Sequence, residues 1–303
     1  MLLNVAFEVP QGSSFFDDFP VWGEESGLDS ARRLRLAGVI DGKLVSSAAV
    51  RLGKMRGASG EFISVALLGA VATDPAFRGK GYASLVVEQA VQWAERSGAI
   101  LVLLWGSEHA MYRRLSFELC GAQALVPLEL SNSQGATINT GWVPALWDVI
   151  LQYRQGGVIL DANDRHWFEA HRNVEWFWVG EKDRPLAYAA LGRGIDMSGI
   201  VHEWGGEPEA LQGLLQALPS HRKGLRLLGS PARLREIGFQ VNHEEFLCLA
   251  RVLNREALFQ ACKGGANPAQ IRDAAAVDLP RMFFGPSSNS SAAPFWVWGL
   301  DAC

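Results

Sequence analysis

The 303-residue chain is poor in the residues that build metal sites and disulfide frameworks. It has four cysteines and six histidines, and neither type recurs at a spacing that is typical of a metal site. We therefore predict no metal ion. Cysteines without such a framework favour free thiols in a reducing compartment, so the expected location is cytoplasmic. The four cysteines are Cys120, Cys248, Cys262 and Cys303.

Long apolar runs and a strong charge of one sign are also missing. No apolar run reaches the length that crosses a bilayer, and the first ten residues lack the basic segment and cleavage site of a signal peptide. The formal net charge of −4 is unlike that of a nucleic-acid-binding surface. We therefore expect neither a membrane nor a nucleic acid as partner, and the oligomeric state, a homo-oligomer included, stays open.

A glycine-rich turn carries the clearest chemical signal of the sequence. It has the pattern Arg/Gln-x-x-Gly-x-Gly/Ala, in the order Arg78, Gly79, Lys80, Gly81, Tyr82, Ala83. The run 63–72 before it is apolar, and apolar residues after it recur at spacings of three and four, which predicts a strand, the turn and a helix. Backbone N–H groups at the start of such a helix, together with the two cations, would bind a pyrophosphate.

Two other phosphate-binding loops fit this turn less well. A Walker A loop needs Ser or Thr after its lysine, whereas Gly81 follows Lys80. A dinucleotide-binding loop needs a third glycine, whereas Ser84 holds that place. The segment instead resembles the acyl-CoA pyrophosphate loop of the GNAT superfamily of N-acyltransferases.

This resemblance implies a fold and a co-substrate. The fold is α/β (α+β), with a mixed, mainly antiparallel twisted sheet flanked by helices. The co-substrate is acetyl-CoA, bound by the glycine-rich turn and by a strand end that splays from its neighbour and polarises the acyl carbonyl. The residues implied in acetyl-CoA binding are Val71, Ala72, Thr73, Arg78, Gly79, Lys80, Gly81, Tyr82, Ala83 and Ser84.

A second segment resembles the GNAT helix that ends Tyr-x-x-Leu/Phe-Gly-Phe. Tyr112, Leu115 and Phe117 match this ending, and Ser116 stands where glycine is usual. In many members the tyrosine is the general acid that protonates the departing CoA thiolate. A phenol suits this task because it stays protonated at neutral pH. The resemblance therefore implies that Tyr112 is the general acid.

The run Ser107-Glu-x-x-x-Tyr112-x-Arg114 is similar to that of the enhanced-intracellular-survival aminoglycoside acetyltransferases, a group with tandem GNAT units. The implied reaction is N-acetyl transfer, in which a primary amine attacks the thioester directly and no acyl-enzyme forms. The base stays unassigned. Glu108 is one candidate, and the resemblance adds the terminal carboxylate of Cys303, because in those enzymes the end of the chain can lie near the active site.

Several alternatives remain open at this point. Asp17, Asp18 and Glu61 are further carboxylates that could act as the base. The acceptor could be a small-molecule amine, such as an aminoglycoside, a polyamine or a metabolite, or a protein amine. Two rival functions are a catalytically inactive CoA-binding sensor or scaffold, and a structural heterodimer partner with a vestigial loop.

The second half of the chain resembles a degenerate copy of the first. The string around Ser230 is similar to that around Ser107, and a strand-turn-strand pattern over 176–189 is similar to that over 33–46. Where the first half has the glycine-rich turn, the second has Trp204-Gly-Gly-Glu-Pro-Glu209, whose two carboxylates would repel a pyrophosphate. An unrelated α+β domain with chance similarity is the alternative.

The expected domains follow from this repeat. Residues 1–128 form a catalytic acyl-CoA-binding domain, 129–252 a degenerate GNAT-like domain without the cofactor loop, and 253–303 a C-terminal helix and extended tail that docks on both. Residues 131–140 are interpreted as a linker, because they lack hydrophobic periodicity. The aromatic tail is expected to be buried, because so many aromatic side chains are seldom left in water.

Overall fold

The computed structural model describes residues 2–24, 26–57, 60–129, 136–194, 196–262, 274–285 and 295–301. Two six-stranded mixed sheets flanked by helices make up the framework, which confirms the predicted α/β architecture. The largest buried cluster joins aliphatic side chains of both sheets, among them Leu67 and Leu103 of the first and Val126 and Ala189 of the second. No described helix is long and apolar enough to span a membrane.

The first sheet is antiparallel except for one central parallel pair. Its strands are β1 (Arg33–Ile40), β2 (Lys43–Arg56), β3 (Phe62–Thr73), β4 (Leu101–Leu104), β5 (Glu118–Cys120) and β12 (Cys248–Val252). Their order is β1-β2-β3-β4-β12-β5, and β3 and β4 form the parallel pair. The long β3 has an almost fully buried middle, as expected for a central strand that is covered on both faces.

The second sheet repeats this arrangement. Its strands are β6 (Ala124–Pro127), β7 (Asn139–Thr140), β8 (Glu175–Glu181), β9 (Arg184–Leu191), β10 (Ile200–Gly206) and β11 (Arg226–Gly229). Their order is β7-β8-β9-β10-β11-β6, and β10 and β11 are parallel. Strand β7 falls inside the stretch 131–140 that was interpreted as a linker, so that interpretation is wrong for residues 139–140, which pair with β8.

Helices cover the outer faces and the ends of the sheets. They are α1 (Leu2–Ala6), α2 (Phe15–Asp18), α3 (Tyr82–Arg96), α4 (His109–Arg114), α5 (Leu146–Tyr153), α6 (Arg165–Glu169), α7 (Pro208–His221), α8 (Pro231–Glu236), α9 (Arg255–Ala261) and α10 (Leu279–Phe284). Helix α3 buries Val87, Ala90, Val91 and Ala94 against the first sheet, because these positions fall on one face of the helix.

The two sheets exchange one strand each. Strand β6 follows the first sheet along the chain but pairs with β11 in the second, and β12 follows the second sheet but lies between β4 and β5 in the first. The predicted division placed 124–127 in the first domain and 248–252 in the second. Hydrogen bonding instead places 124–127 in the second sheet and 248–252 in the first. Each sheet is therefore completed by a strand from the other half of the chain.

The described end of the chain, residues 295–301, is packed against both sheets. Trp296, Val297 and Trp298 are buried in the cluster that joins the sheets. Asp301 has an exposed fraction of 0%, and its carboxylate forms an ion pair with the Arg154 guanidinium, with 2.7 Å between Nη2 and Oδ2. A second guanidinium, that of Arg51 on β2, lies 3.6 Å from the other oxygen of Asp301. The tail therefore connects β2 of the first sheet to the residue that follows the C-terminus of α5.

Candidate active site

A cleft opens where β3 and β4 part. The two strands pair from Val65 and Leu101 to Leu68 and Leu104, and β3 then continues to Thr73 with β2 as its remaining described partner. A shift of register against β2 marks a β-bulge in this stretch of β3. Beyond the last pair, the side of β3 that faced β4 borders the cleft instead.

Two serines of β2 hold the bulge in place. The hydroxyl of Ser46 donates to the carbonyl oxygen of Ala72 at 2.9 Å, and that of Ser47 donates to the carbonyl oxygen of Ala70 at 3.0 Å. Ala70 has a φ of 51°, a left-handed backbone angle that non-glycine residues seldom adopt. Since such backbone persists only where its surroundings fix it, the serine hydroxyls are part of what shapes the cleft.

The cleft forms one cavity of about 870 Å³. It brings together the end of β3, the glycine-rich turn, the start of α3, the segment after β4 and helix α4. Of the residues predicted to bind acetyl-CoA, the lining includes Val71, Ala72, Thr73, Arg78, Gly79, Gly81, Tyr82, Ala83 and Ser84. Tyr112 and Glu108 line the same cavity.

The two glycines of the turn are required by backbone angle. Gly79 has a φ of 76° and Gly81 a φ of 84°, and a Cβ added at either would meet no described atom within 4 Å. Gly81 is the N-cap of the 15-residue helix α3, and no described side chain caps this end. The first N–H groups of α3 therefore face the cavity with the positive end of the helix dipole behind them.

The cations of the turn differ in where they point. The Arg78 side chain lines the cavity, with its Nε 3.4 Å from the carbonyl oxygen of Thr73. The Lys80 ammonium group instead lies 4.9 Å from the centre of the Phe77 ring and 3.4 Å from the carbonyl oxygen of Ala76. Lys80 is thus absent from the described lining, and its contact with acetyl-CoA stays a prediction.

Tyr112 lies at the inner end of the cavity on α4. Its side chain is 5% exposed and its ring meets that of Phe117 edge to face at 6.0 Å. Burial raises the pKa of Tyr112 to about 12, and the nearby carboxylate of Glu108 also raises it. A Cβ on Gly106 would come within 3.1 Å of the tyrosine ring, so the glycine makes room for it. The phenol is neutral at physiological pH.

Ser116 shows why glycine is usual at its position. Its φ is 62°, in the left-handed region that favours glycine. The turn at this position returns the chain so that the N–H of Phe117 donates to the carbonyl oxygen of Tyr112 at 3.1 Å. Serine at this position keeps the turn in spite of the less favourable backbone angle.

The carboxylates considered as candidate bases lie in different parts of the structure, and Glu108 is the one in the described part of the chain that lines the cavity. Glu108 is the N-cap residue of α4 and lines the cavity. Glu61 precedes β3 at its opposite end, roughly 40 Å along the strand from Thr73 at the usual rise per residue. Asp17 accepts from the backbone N–H of Ser14 at 2.8 Å in a capping box. Cys303 lies outside the described residues.

Asp18 is held away from the cavity. Its carboxylate accepts from the side-chain amide of Asn173 at 2.6 Å, and its exposed fraction is 5%. Burial raises the pKa of Asp18, although the Asn173 hydrogen bond opposes this shift. Asp18 is not among the residues that line the cavity in the described part of the chain.

The lining also includes residues that the sequence analysis did not name as site residues, among them Ala6, Phe7, Trp105 and Met111. Met111 lies within the run 107–114 and Trp105 precedes that run by two residues, so their proximity to Tyr112 along the chain was a usable signal. Ala6 ends α1 and Phe7 follows it, and α1 packs on β3, which begins more than fifty residues later in the chain. No local pattern could have found them.

The second sheet keeps the shape of this cleft but fills it. Strands β10 and β11 pair only from Ile200 to Val201, and a bulge follows at once. The indole of Trp204 then crosses the gap and donates to the carbonyl oxygen of Leu228 on β11 at 2.8 Å. Trp298 of the tail packs edge to face on Trp204 at 5.5 Å. Side chains of the chain itself thus occupy the second cleft.

The helix after this second cleft also lacks the tyrosine. The N–H of Phe239 donates to the carbonyl oxygen of Leu234 at 2.9 Å, the same bond that joins Phe117 to Tyr112. A Cβ on Gly229 would meet Leu234, as one on Gly106 would meet Tyr112. Leu234 therefore holds the position of the tyrosine, and helix α7 begins at Pro208, two residues after β10 ends.

Comparisons with solved structures agree with this architecture. A probable N-acyltransferase from Enterococcus faecalis is 17% identical, with a TM-score of 0.61, over 88% of this chain and 72% of that one. A GCN5-related N-acetyltransferase from Anabaena variabilis is 17% identical, with a TM-score of 0.59, over 84% and 69%. Eis1 from Mycobacterium abscessus is also 17% identical, with a TM-score of 0.55, over 83% and 73%. At this identity the likeness shows the fold alone.

Sequence comparison addresses the first sheet and its cleft. No curated protein matches the chain. Residues 6–120 match the family described as acetyltransferase (GNAT) domain, a range that includes the glycine-rich turn and Tyr112. This match places a GNAT acetyltransferase domain over residues 6–120 and confirms the resemblance that the glycine-rich turn predicted.

Proposed function

We propose that the protein is an N-acetyltransferase that moves the acetyl group of acetyl-CoA to a primary amine. The observation that carries this proposal is the position of Tyr112. Its buried phenol, with a pKa of about 12, lies in the same cavity as the bulged end of β3 and the first turn of α3. A neutral proton donor is thereby placed beside a site that suits a thioester and its pyrophosphate.

The described residues fit acetyl-CoA. The N-terminus of α3, the positive φ angles of Gly79 and Gly81, and the Arg78 guanidinium favour a pyrophosphate. Beyond Leu68, the edge of β3 that no longer pairs with β4 offers backbone groups for the pantetheine amides and the acyl carbonyl, as an oxyanion hole does. Acetyl is the expected acyl group on the strength of the family.

The proposed chemistry is direct transfer. A neutral amine attacks the thioester carbonyl carbon, and the carbon–sulfur bond breaks. Tyr112 gives its phenolic proton to the departing sulfur, and solvent later replaces that proton. The extra proton of the amine passes to a base. We propose Glu108 for this role, through water, because it is the carboxylate that lines the cavity.

The second unit is proposed to be a degenerate GNAT copy that does not bind acetyl-CoA. The filled cleft at Trp204 and the leucine at position 234 support this, beside the carboxylates that the sequence places there. The tandem arrangement would make the protein similar in plan to Eis1. Cys120 and Cys248 are free thiols, which supports the proposed cytoplasmic location.

Calorimetric titration with acetyl-CoA tests the proposal. We expect one site per chain, and Arg78→Glu should weaken binding about tenfold or more, because it reverses a charge beside the pyrophosphate. Arg184→Glu, at the exposed first residue of β9, is the matched control. Two sites would overturn the assignment of the second unit. Unchanged affinity of Arg78→Glu would overturn the pyrophosphate site.

The alternative is a CoA-binding sensor or scaffold without turnover. A thiol-release assay with a panel of amines separates the two. Release that depends on the amine and falls in Tyr112→Phe supports the enzyme. Binding of acetyl-CoA without release from any amine would support the sensor.

A further inference from the structure

The acceptor side of the cavity has a composition that selects among amines. Once the residues assigned to acetyl-CoA are set aside, the remaining lining includes Ala6, Phe7, Trp105, Ser107 and Glu108. Two of these are aromatic and one is a carboxylate. This set rests on the proposed function, because it assumes that the thioester lies between the bulge and Tyr112.

Phe7 and Trp105 are called the aromatic wall of the cavity, and Phe7 packs on two buried aromatic side chains. The ring of Phe7 packs at 4.7 Å from Phe15 and 5.9 Å from Phe19, and the latter two are stacked at 4.6 Å. Phe15 and Phe19 are buried, whereas Phe7 is half-buried and lines the cavity. Trp105 follows the last residue of β4 and is also half-buried. The wall is therefore apolar and preorganised.

The charge of the lining argues against a polycation. Among the lining residues in the described part of the chain, Glu108 is the one carboxylate, and Arg78 and Arg114 are cations. A polyamine or an aminoglycoside carries several ammonium groups, and each would need a carboxylate or open water to avoid a loss of solvation. One carboxylate beside an apolar wall suits one ammonium group on an apolar body.

We infer that the acceptor is a primary monoamine with an apolar, aromatic-sized body. The body packs against Phe7 and Trp105. The Glu108 carboxylate attracts the ammonium group to the mouth of the cavity before the amine loses its proton. The acceptor specificity thereby differs from that of a polycation acetyltransferase, although the fold is shared.

Steady-state thiol release with purified full-length protein tests this inference. The probes are 2-phenylethylamine, spermidine, an aminoglycoside and a lysine-containing peptide. We expect kcat/KM for 2-phenylethylamine to exceed that for spermidine by about tenfold or more, as apolar pockets discriminate in that range. Equal or better use of spermidine or of the aminoglycoside, in a protein that binds acetyl-CoA, would overturn the inference and leave the proposed function intact.

Two variants test whether the aromatic wall binds the amine. Phe7→Ala and Trp105→Leu should each raise KM for 2-phenylethylamine by about tenfold and leave KM for acetyl-CoA unchanged. Trp105→Leu is included because Phe7 also packs on buried aromatics and its loss could unfold α1. Phe62→Ala, an exposed phenylalanine at the far end of β3, is the control that should change neither constant.

The outcomes separate two kinds of failure. If both wall variants leave KM for the amine unchanged, or raise KM for acetyl-CoA equally, the wall does not bind the acceptor and the inference is wrong. If wild-type protein binds no acetyl-CoA, or releases thiol with none of the amines, the proposed function fails and the inference fails with it.

Discussion

Replacing Tyr112 with phenylalanine removes one oxygen from the candidate site and little else. The ring would keep its edge-to-face contact with Phe117 and its place beside Gly106, so the free energy of unfolding should change by less than about 1 kcal/mol. If the phenol protonates the leaving thiolate, kcat should fall by about two to three orders of magnitude. The affinity for acetyl-CoA should stay the same, because a proton donor acts in the transition state.

The pKa of Tyr112 sets the expected pH dependence. A shift from 10 to about 12 makes the ionised phenol roughly 3 kcal/mol less favourable than in water. The acid form is the active one, so the descending limb that Tyr112 contributes to kcat should begin only above about pH 11. Any loss of activity between pH 8 and 10 would then come from another group.

The assay is thiol release under saturating acetyl-CoA, with calorimetry for the affinity of acetyl-CoA. Tyr153→Phe, on α5 in the second unit, serves as the matched control, with no change expected in either measurement. An unchanged kcat in Tyr112→Phe would refute the general-acid role. Equal losses of kcat and of acetyl-CoA affinity would show that the hydroxyl shapes the cavity instead.

Three further substitutions test other parts of the structure. Gly81→Ala should lower stability by about 1 kcal/mol, because alanine is strained at a φ of 84°, and should weaken acetyl-CoA binding in calorimetry. Trp204→Ala should lower stability by about 3 to 5 kcal/mol in urea titration while the stoichiometry of acetyl-CoA stays at one; a second site would show that the indole alone closes the second cleft. Asp301→Asn should cost about 3 kcal/mol, because it leaves Arg51 and Arg154 without their shared carboxylate, whereas Asp183→Asn in an exposed turn should cost nothing measurable.

The candidate site could be read from the sequence wherever its residues are close together along the chain. The turn 78–84 and the helix with Tyr112 are continuous segments, and their glycine spacing and apolar periodicity reflect local backbone geometry. The aromatic wall was not accessible in this way. Phe7 reaches the bulge only because α1 packs on β3, and tertiary contacts of that kind leave no periodic trace.

The second cleft shows a different limit. The sequence pointed to Glu207 and Glu209 as the reason that no pyrophosphate would bind there. In the structure the gap between β10 and β11 is already filled by Trp204, supported by Trp298 from almost a hundred residues away. From sequence alone, a tryptophan in an apolar strand is interpreted as a core residue. That it fills the gap can be recognised only from its contact with β11.

The exchange of β6 and β12 constrains how the protein can be made. During synthesis the first sheet lacks an interior strand until residue 252 has left the ribosome, so β4 and β5 cannot be joined before most of the second unit exists. The candidate active-site cleft opens beside β4, which is flanked in the complete sheet by β3 and by that late strand. A gene fragment that ends at residue 128 would encode the whole glycine-rich turn and Tyr112. It would still lack β12, the strand that lies between β4 and β5. The complete first sheet therefore depends on translation of the second unit.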